Sequence, residues 1–158
     1  MSDSAGEPTW ENVLRAAGQR DLLADHDRLR LLLACWTELP ESAFAKRCVV
    51  AHYLADLHRE PTGALDWDLR ALEAYRWIDH DDLVPLGIQD PAAFAPSIHL
   101  NVGDDYFALG MFIHADNHAR AAEDALGRVA SDPLNVVIGR GVAALRERVK
   151  AALAEDER

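Results

Sequence analysis

The sequence predicts an all-α protein of about seven helices, joined as antiparallel helical hairpins. Three observations lead to this fold class. Alanine, leucine, arginine and glutamate are abundant, and these residues favour helices over strands. The sequence lacks the alternating β-branched runs that are typical of strands. The periodic segments are also separated by short connections, which favour consecutive helices that lie side by side and antiparallel.

The first two predicted helices form a short hairpin. Pro8-Thr9 is typical of a helix N-terminus, and the first helix runs from there to Gly18. The second helix covers about 21–36, because leucines recur there at helical spacing. Leu39-Pro40 ends it, since the residue before a proline disfavours the helical conformation.

The next two predicted helices form a second hairpin, and a less regular segment follows them. The third helix covers about 42–58 and the fourth about 64–78, with a break at Glu60-Pro61-Thr62-Gly63. The stretch 79–95 is rich in proline and aspartate. This composition predicts a loop that contains a short helical turn.

The last three predicted helices follow the irregular segment. The fifth covers about 96–109, Gly110 interrupts the pattern, and the sixth covers about 111–126. Ser131-Asp132-Pro133 is a strong N-terminal signal for the last helix, which extends to about 153. No dinucleotide-binding or phosphate-binding loop stands between the helices, so the sequence predicts no cofactor.

Net charge limits the classes of partner. The 158-residue chain has 27 acidic residues against 16 basic ones, which gives a formal charge of −11. A general nucleic-acid binder needs a basic footprint, and docking to an anionic membrane needs basic clusters. The sequence therefore predicts neither nucleic acid nor membrane as a partner.

Length, cysteine usage and the first ten residues predict one domain, 1–158, in the cytoplasm. A chain of this length suits a single hydrophobic core. Cys35 and Cys48 lack the spacing of a metal site, and two free thiols fit a reducing compartment. The first ten residues contain no basic region followed by an apolar one, so no secretory signal is predicted.

Two segments of the chain repeat one pattern at a shift of 51 residues. Small residues allow antiparallel helices to approach closely, an aromatic residue fills the space beside them, and a glycine accepts the tight turn. In the later segment the pattern comprises Gly103, Tyr106, Gly110, Ala115 and Ala122. In the earlier segment the same places hold His52, Ala55, Arg59, Ala64 and Ala71.

This spacing resembles the tetratricopeptide repeat family, whose unit is a helical hairpin with small residues, an aromatic and a turn glycine at these places. Residues 96–129 match well and residues 45–78 match moderately, with 79–95 as an insertion between them. The whole chain is also similar to small actinobacterial proteins of this repeat type, which have no assigned activity. The resemblance implies a short right-handed superhelix of hairpins at about 8–37, 42–78 and 96–127, with a C-terminal capping helix at 133–153.

Members of this family bind proteins or peptides on a concave face lined by the first helix of each hairpin. The resemblance therefore implies a non-enzymatic protein- or peptide-binding module, or a scaffold. By position, the implied groove residues are Lys46, Val49, Tyr53, Asp56, Ser97, Leu100, Asn101, Asp104 and Phe107. Because this groove is mildly acidic, a basic peptide is the expected ligand.

Helical spacing separates two faces of the fifth helix. The polar stripe consists of Ser97, Asn101, Asp104, Asp105 and Ala108, opposite the apolar residues Ile98, Val102, Tyr106 and Leu109. A polar stripe is either a solvated surface or, in an array of hairpins, the lining of a groove. If this helix contacts a ligand, the spacing indicates Asn101 and Asp104.

Two alternative functions remain open at this point. His52 and Asp56 lie four residues apart on the third helix, where a carboxylate can fix the tautomer of an imidazole. With Tyr53 and Asp104, such a pair suits a small-molecule pocket or an enzyme in which the insertion acts as a lid, but it can also satisfy a buried histidine. The other alternative is a homodimer that buries an apolar face of the terminal hairpins.

His114 and His118 also lie four residues apart, on one face of the sixth helix. Two imidazoles at this spacing can share a metal ion. No His-Glu-x-x-His pattern accompanies them, and a third ligand would have to come from another helix. The sequence therefore predicts no metal site, and this pair is the only weak candidate for one.

Overall fold

The computed structural model describes residues 7–18 and 24–156. Within these ranges the chain is all-α, with seven α-helices and no strand, so the predicted fold class is confirmed. The helices are α1 (Trp10–Gly18), α2 (Asp25–Glu38), α3 (Phe44–Ala55), α4 (Pro61–Tyr75), α5 (Ala95–Ala108), α6 (Phe112–Leu126) and α7 (Pro133–Asp156). The predicted start of the second helix near residue 21 lies outside the described residues.

Local sequence signals explain where the helices begin and end. Helix α4 begins at Pro61, earlier than predicted, because a proline in the first turn loses no intrahelical hydrogen bond. Asp132 caps α7, since its Oδ1 accepts the backbone N–H of Asn135 at 2.8 Å. The predicted loop 79–95 contains two 3₁₀ turns, Val84–Leu86 and Pro91–Phe94.

The turn between α5 and α6 is a Schellman motif built on a glycine. Gly110 has φ +73°, a left-handed conformation that glycine adopts without steric cost. The Met111 N–H donates to the Tyr106 carbonyl at 2.9 Å, and the Gly110 N–H donates to the Phe107 carbonyl at 3.0 Å. These two bonds satisfy the last carbonyl groups of α5 and reverse the chain within a few residues.

The helices pack in the order of the chain. Each helix contacts the next one, most extensively in the pairs α3–α4 and α5–α6. Helix α1 also packs on α3, and α5 also packs on α7. The second helix of each hairpin thus packs against the first helix of the next hairpin, or against the terminal helix α7.

Small residues form the seams between the helices. Ala51, Ala71 and Ala74 pack with Cys48 and Ile98 where α3, α4 and α5 meet. A second cluster joins α6 to α7 through Ala115, Ala119, Leu145 and Val149, with Leu100 and Phe107 of α5 packed against it. Alanine at these places brings the helix axes close together, which also brings their polar side chains within bonding distance.

The segment 79–94 is part of the hydrophobic core. Leu83 is completely buried and lies in one cluster with Val49 and Leu54 of α3. Phe94 also packs against this cluster. The inner face of α3 is therefore covered by the chain's own insertion, which is packed down in this structure instead of standing open as a lid.

Truncation of Leu83 tests whether the insertion stabilises the fold. We expect Leu83→Ala to lower the free energy of unfolding by about 2–4 kcal/mol, because it leaves a cavity against α3. Val84→Ala is the matched control, since Val84 is 40% exposed. Urea denaturation measures both values, and an equal small effect of the two substitutions would show that the segment is not part of the core.

Candidate functional site

A histidine and two aspartates form a buried network where α3, α4 and α5 meet. His52 Nδ1 of α3 lies 3.3 Å from Asp68 Oδ1 of α4. Asp68 is only 2% exposed, so its carboxylate depends on donors from the protein. An ionised carboxylate can only accept hydrogen bonds. His52 Nδ1 therefore carries a hydrogen and donates a hydrogen bond to Asp68.

Asp105 of α5 completes the network. Its carboxyl group interacts with that of Asp68, and two carboxyl groups can share a hydrogen bond only when one of them is protonated. Burial, followed by the charge of Asp68, raises the pKa of Asp105 to about 7. Burial also raises the pKa of Asp68, but the hydrogen bond and the charge of His52 oppose that rise. The shared proton therefore belongs to Asp105.

The surroundings of Asp105 also disfavour its ionised form. Among the described residues, no hydrogen-bond donor reaches its buried Oδ2 atom. The charges of Asp104 and Asp56 raise its pKa as well. A buried carboxylate oxygen without a donor costs free energy, and protonation of the group reduces that cost.

The position of Asp68 follows from the sequence of α4, although our prediction overlooked it. Ala64, Asp68 and Ala71 recur at intervals of four and three, and all three residues are buried. Asp68 therefore lies inside the apolar stripe of its helix. The sequence does contain a signal for this position. Asp68 is an acidic residue between small residues on the face of α4 that packs against its neighbours.

Asp105 is a second residue that the prediction misplaced. The sequence grouped it with Asp104 on a polar stripe, but the two side chains point to different surroundings. Ile98, Val102 and Asp105 recur at intervals of four and three, and the first two are completely buried. Asp105 continues this inner stripe toward Asp68, whereas Asp104 faces α7 at the surface.

Three polar residues lie next to the buried network, namely Asp56, Asn101 and Asp104, and we call them the acidic rim. Asn101 Nδ2 of α5 donates to Asp56 Oδ1 of α3 at 3.4 Å. Asp104 forms an ion pair with Arg148 of α7. The rim thus links the first helices of two hairpins, and it contains three of the predicted groove residues.

The predicted pairing of His52 with Asp56 is replaced by the pairing with Asp68. Asp56 caps the C-terminus of α3 and is exposed, whereas the His52 side chain is 12% exposed and turned inward. The ring of Phe94 packs edge-on against His52 at 5.3 Å between centroids, and Tyr53 lies 6.0 Å away. His52 is therefore held as part of the core.

The other predicted groove residues of α3 are already in contact with the chain itself. Val49 is buried in the cluster that α1, α2 and α3 share with Leu83 of the insertion, and Tyr53 packs against the same cluster. Lys46 Nζ lies 2.7 Å from Glu7 Oε1 at the N-terminal end of the fold. In this conformation Val49 cannot contact a ligand.

On α5 the predicted groove residues contact either the insertion or α7. Ser97 Oγ donates to the Phe94 carbonyl at 3.0 Å. Leu100 packs against Gly141 of α7, where an added Cβ would lie 2.8 Å from Leu100 Cδ2. The Phe107 ring lies under Arg148, 4.7 Å from the guanidinium carbon. The insertion and α7 therefore cover much of the groove that the resemblance implies.

The histidines of α6 are engaged in ring contacts and a hydrogen bond. His118 Nδ1 lies 3.1 Å from His99 Nδ1 of α5, and the Tyr106 ring stacks on both His114 and His118. Burial, followed by the neighbouring His99 and His114, lowers the pKa of His118 to about 4. Within residues 7–18 and 24–156, no three His, Cys, Asp or Glu side chains are arranged to hold a metal ion.

Two cavities lie away from the buried network. The larger, of about 620 Å³, is a groove between α6 and α7 whose charges alternate. Its lining includes Asp116, Arg120, Glu123, Arg146, Glu147 and Lys150. The smaller, of about 160 Å³, lies between the start of α1 and the start of α3. Because opposite charges compensate each other in the larger groove, it shows no clear preference for a charged ligand.

The chain has no significant match among protein-family models, curated proteins or solved structures. None of the helices within the described ranges is long and apolar enough to cross a membrane.

The raised pKa of Asp105 predicts that the stability of the protein depends on pH. The folded pKa of about 7 exceeds the ordinary value of 3.8, so the folded state keeps a proton that the unfolded chain releases. This group therefore stabilises the fold fully below about pH 4, and its contribution is lost as the pH rises to about 7. Asp105→Asn does not titrate and can still donate to Asp68.

We expect Asp105→Asn to raise the midpoint of thermal unfolding by about 3–6 °C at pH 8, with little effect at pH 4. Asp124→Asn, an equal charge change at an exposed position of α6, is the control and should show no such pH-dependent gain. If the midpoints of thermal unfolding of wild type and Asp105→Asn differ by the same amount at pH 4 and at pH 8, the assignment of the proton to Asp105 is wrong.

Proposed function

We propose that this chain is a non-enzymatic protein- or peptide-binding module of the tetratricopeptide type, and that its acidic rim recognises a basic segment of the partner. The observation that carries this proposal is the rim itself. It presents Asp56, Asn101 and Asp104 from the first helices of two successive hairpins, the place where this family binds its ligands.

The packing of the helices supports the repeat assignment. The glycine at 110 forms the tight hairpin turn that the repeat spacing requires, and Ala115 and Ala122 are completely buried in the seams of α6. Stacking of each hairpin on the next is the arrangement on which repeat proteins build a shared surface. These positions of Gly110, Ala115 and Ala122 support the proposal of a repeat.

The coverage of the inner face limits what such a module can bind. The insertion covers α3 around Val49, and α7 covers α5 around Leu100 and Phe107. The rim is the part of this face that remains polar and partly exposed. We therefore expect a short contact with one or two basic side chains, and not a long peptide laid along an open groove.

Electrostatics favour a basic partner at this place. The chain has a net charge of −11, and the charges of Asp56 and Asp104 both act on Asp105 at this place. Such a field attracts cations and speeds their association, although a single exposed ion pair contributes only about 0–1 kcal/mol. Specific binding therefore needs several rim residues to act together.

The alternative of a small-molecule pocket at His52 has weaker support. Its Nδ1 atom is engaged with Asp68, and its ring is packed beside Phe94 and Tyr53. A histidine held in this way is well suited to a structural role.

Selection from a random peptide library tests the proposed function. We expect the wild-type chain to enrich peptides with at least one Lys or Arg, and their affinity to fall as salt screens the rim. The double variant Asn101→Ala/Asp104→Ala should bind the enriched peptides about tenfold more weakly, because it removes a carboxylate and an amide from the contact surface. Fluorescence anisotropy measures these affinities.

Asp124→Asn, exposed on α6, controls for the general loss of negative charge and should bind as wild type does. Circular dichroism confirms that the double variant keeps its helices. Enrichment of acidic or purely apolar peptides, or equal binding by the double variant, would rule out the rim as the recognition surface.

A further inference from the structure

An arginine of the chain itself occupies part of the acidic rim. Arg148, on the outer face of α7, forms an ion pair with Asp104 of α5. Its guanidinium carbon lies 4.7 Å from the centre of the Phe107 ring. The Arg148 side chain is 48% exposed and the Asp104 side chain 45%, so solvent reaches this contact.

The chemistry of this contact is selective for a guanidinium group. A guanidinium is planar, stacks on an aromatic face and presents several N–H donors to a carboxylate. Asp104 supplies the carboxylate and Phe107 the ring, one turn apart on the same helix. An ammonium group can use the charge, but it lacks the planar fork and the flat face.

The position of α7 does not depend on Arg148. Leu145 and Val149, on either side of it along the helix, are completely buried against α6. These side chains hold α7 in place through apolar burial, whereas an exposed ion pair adds little to stability. The Arg148 side chain can therefore rotate away while α7 stays docked.

We propose that Asp104 and Phe107 form a cradle for an arginine side chain of a protein partner, and that Arg148 is a built-in competitor for it. This inference rests on the proposed function and specifies its ligand class, an arginine in preference to a lysine. The partner's arginine exchanges with Arg148 at the surface. Asn101 and Asp56, beside the cradle on the rim, then contact the residues that flank the partner's arginine.

Titration with two matched peptides tests the cradle. The probes are acetyl-Gly-Gly-Arg-Gly-Gly-amide and the same peptide with lysine, followed through backbone amide signals in NMR spectra. We expect Arg148→Ala to bind the arginine peptide about threefold to tenfold more tightly than wild type, because the competitor is gone. The lysine peptide should bind more weakly than the arginine peptide, and adding Asp104→Asn to Arg148→Ala should remove the gain.

Arg140→Ala is the matched control, since Arg140 is exposed on the same helix and an equal positive charge is lost. It should bind both peptides as wild type does. Arg148→Gln keeps a long side chain with good helix propensity and serves as a second variant if the alanine chain is poorly folded. No gain in affinity with either variant, or equal affinity for the two peptides, would overturn the proposal.

The outcomes separate this inference from the function on which it rests. If library peptides bind at the rim without dependence on Arg148 and without preference for arginine, the cradle is wrong and the binding function stands. If Arg148→Ala binds the arginine pentapeptide as expected but the library yields no peptide that needs Asn101 and Asp104, the preference of Asp104 and Phe107 for a guanidinium group stands. The proposed function then fails, and with it the role of the cradle in binding a partner.

Discussion

Asp68 is a carboxylate buried at the seam of three helices, and its need for hydrogen-bond donors constrains everything around it. Water cannot supply those donors at 2% exposure, so α3 provides His52 and α5 provides a protonated Asp105. Each donor reaches the Asp68 carboxylate only if its helix packs at one particular position along α4. The network therefore selects the stacking of the second hairpin on the third, while the alanines around it supply the close approach.

The packing around this seam also determines which part of the surface stays accessible to a ligand. The inner face of α3 is closed by Leu83 and the insertion, and the inner face of α5 is closed by α7. Between these two covers, the ends of α3 and α5 expose Asp56, Asn101 and Asp104 directly beside the buried network. The surface between the two covers is small and acidic, and the ligand class that we propose for it follows from its charge and from the guanidinium contact already made by Arg148.

Much of the fold was predictable from local signals. Pro8-Thr9, Ser131-Asp132-Pro133 and Gly110 each specify a helix end through backbone chemistry that needs no tertiary partner, and the helices begin or end close to them. The buried network was not predicted, because Asp66 and Asp68 flank Trp67. Two acidic residues so close together are typical of a helix face that is partly exposed to solvent. Whether an aspartate at such a position faces water or a histidine depends on the neighbouring helix, which periodicity within one helix does not reveal. The covering of the groove escaped prediction for a related reason, since a repeat pattern does not say where an insertion or a terminal helix will pack.

Direct observation of the carboxyl groups gives the clearest test of the network. Carbon-13 NMR of the aspartate side chains, assigned and followed from pH 3 to pH 9, reports the protonation of each group in the folded protein. We expect the Asp105 carboxyl carbon to titrate with a midpoint near the pKa of about 7, and the Asp68 carboxyl carbon to shift over the same range as it loses its donor. Titration of Asp105 at the ordinary value for an aspartate, with no linked change at Asp68, would contradict the shared proton and with it the account of how the three helices are held in register.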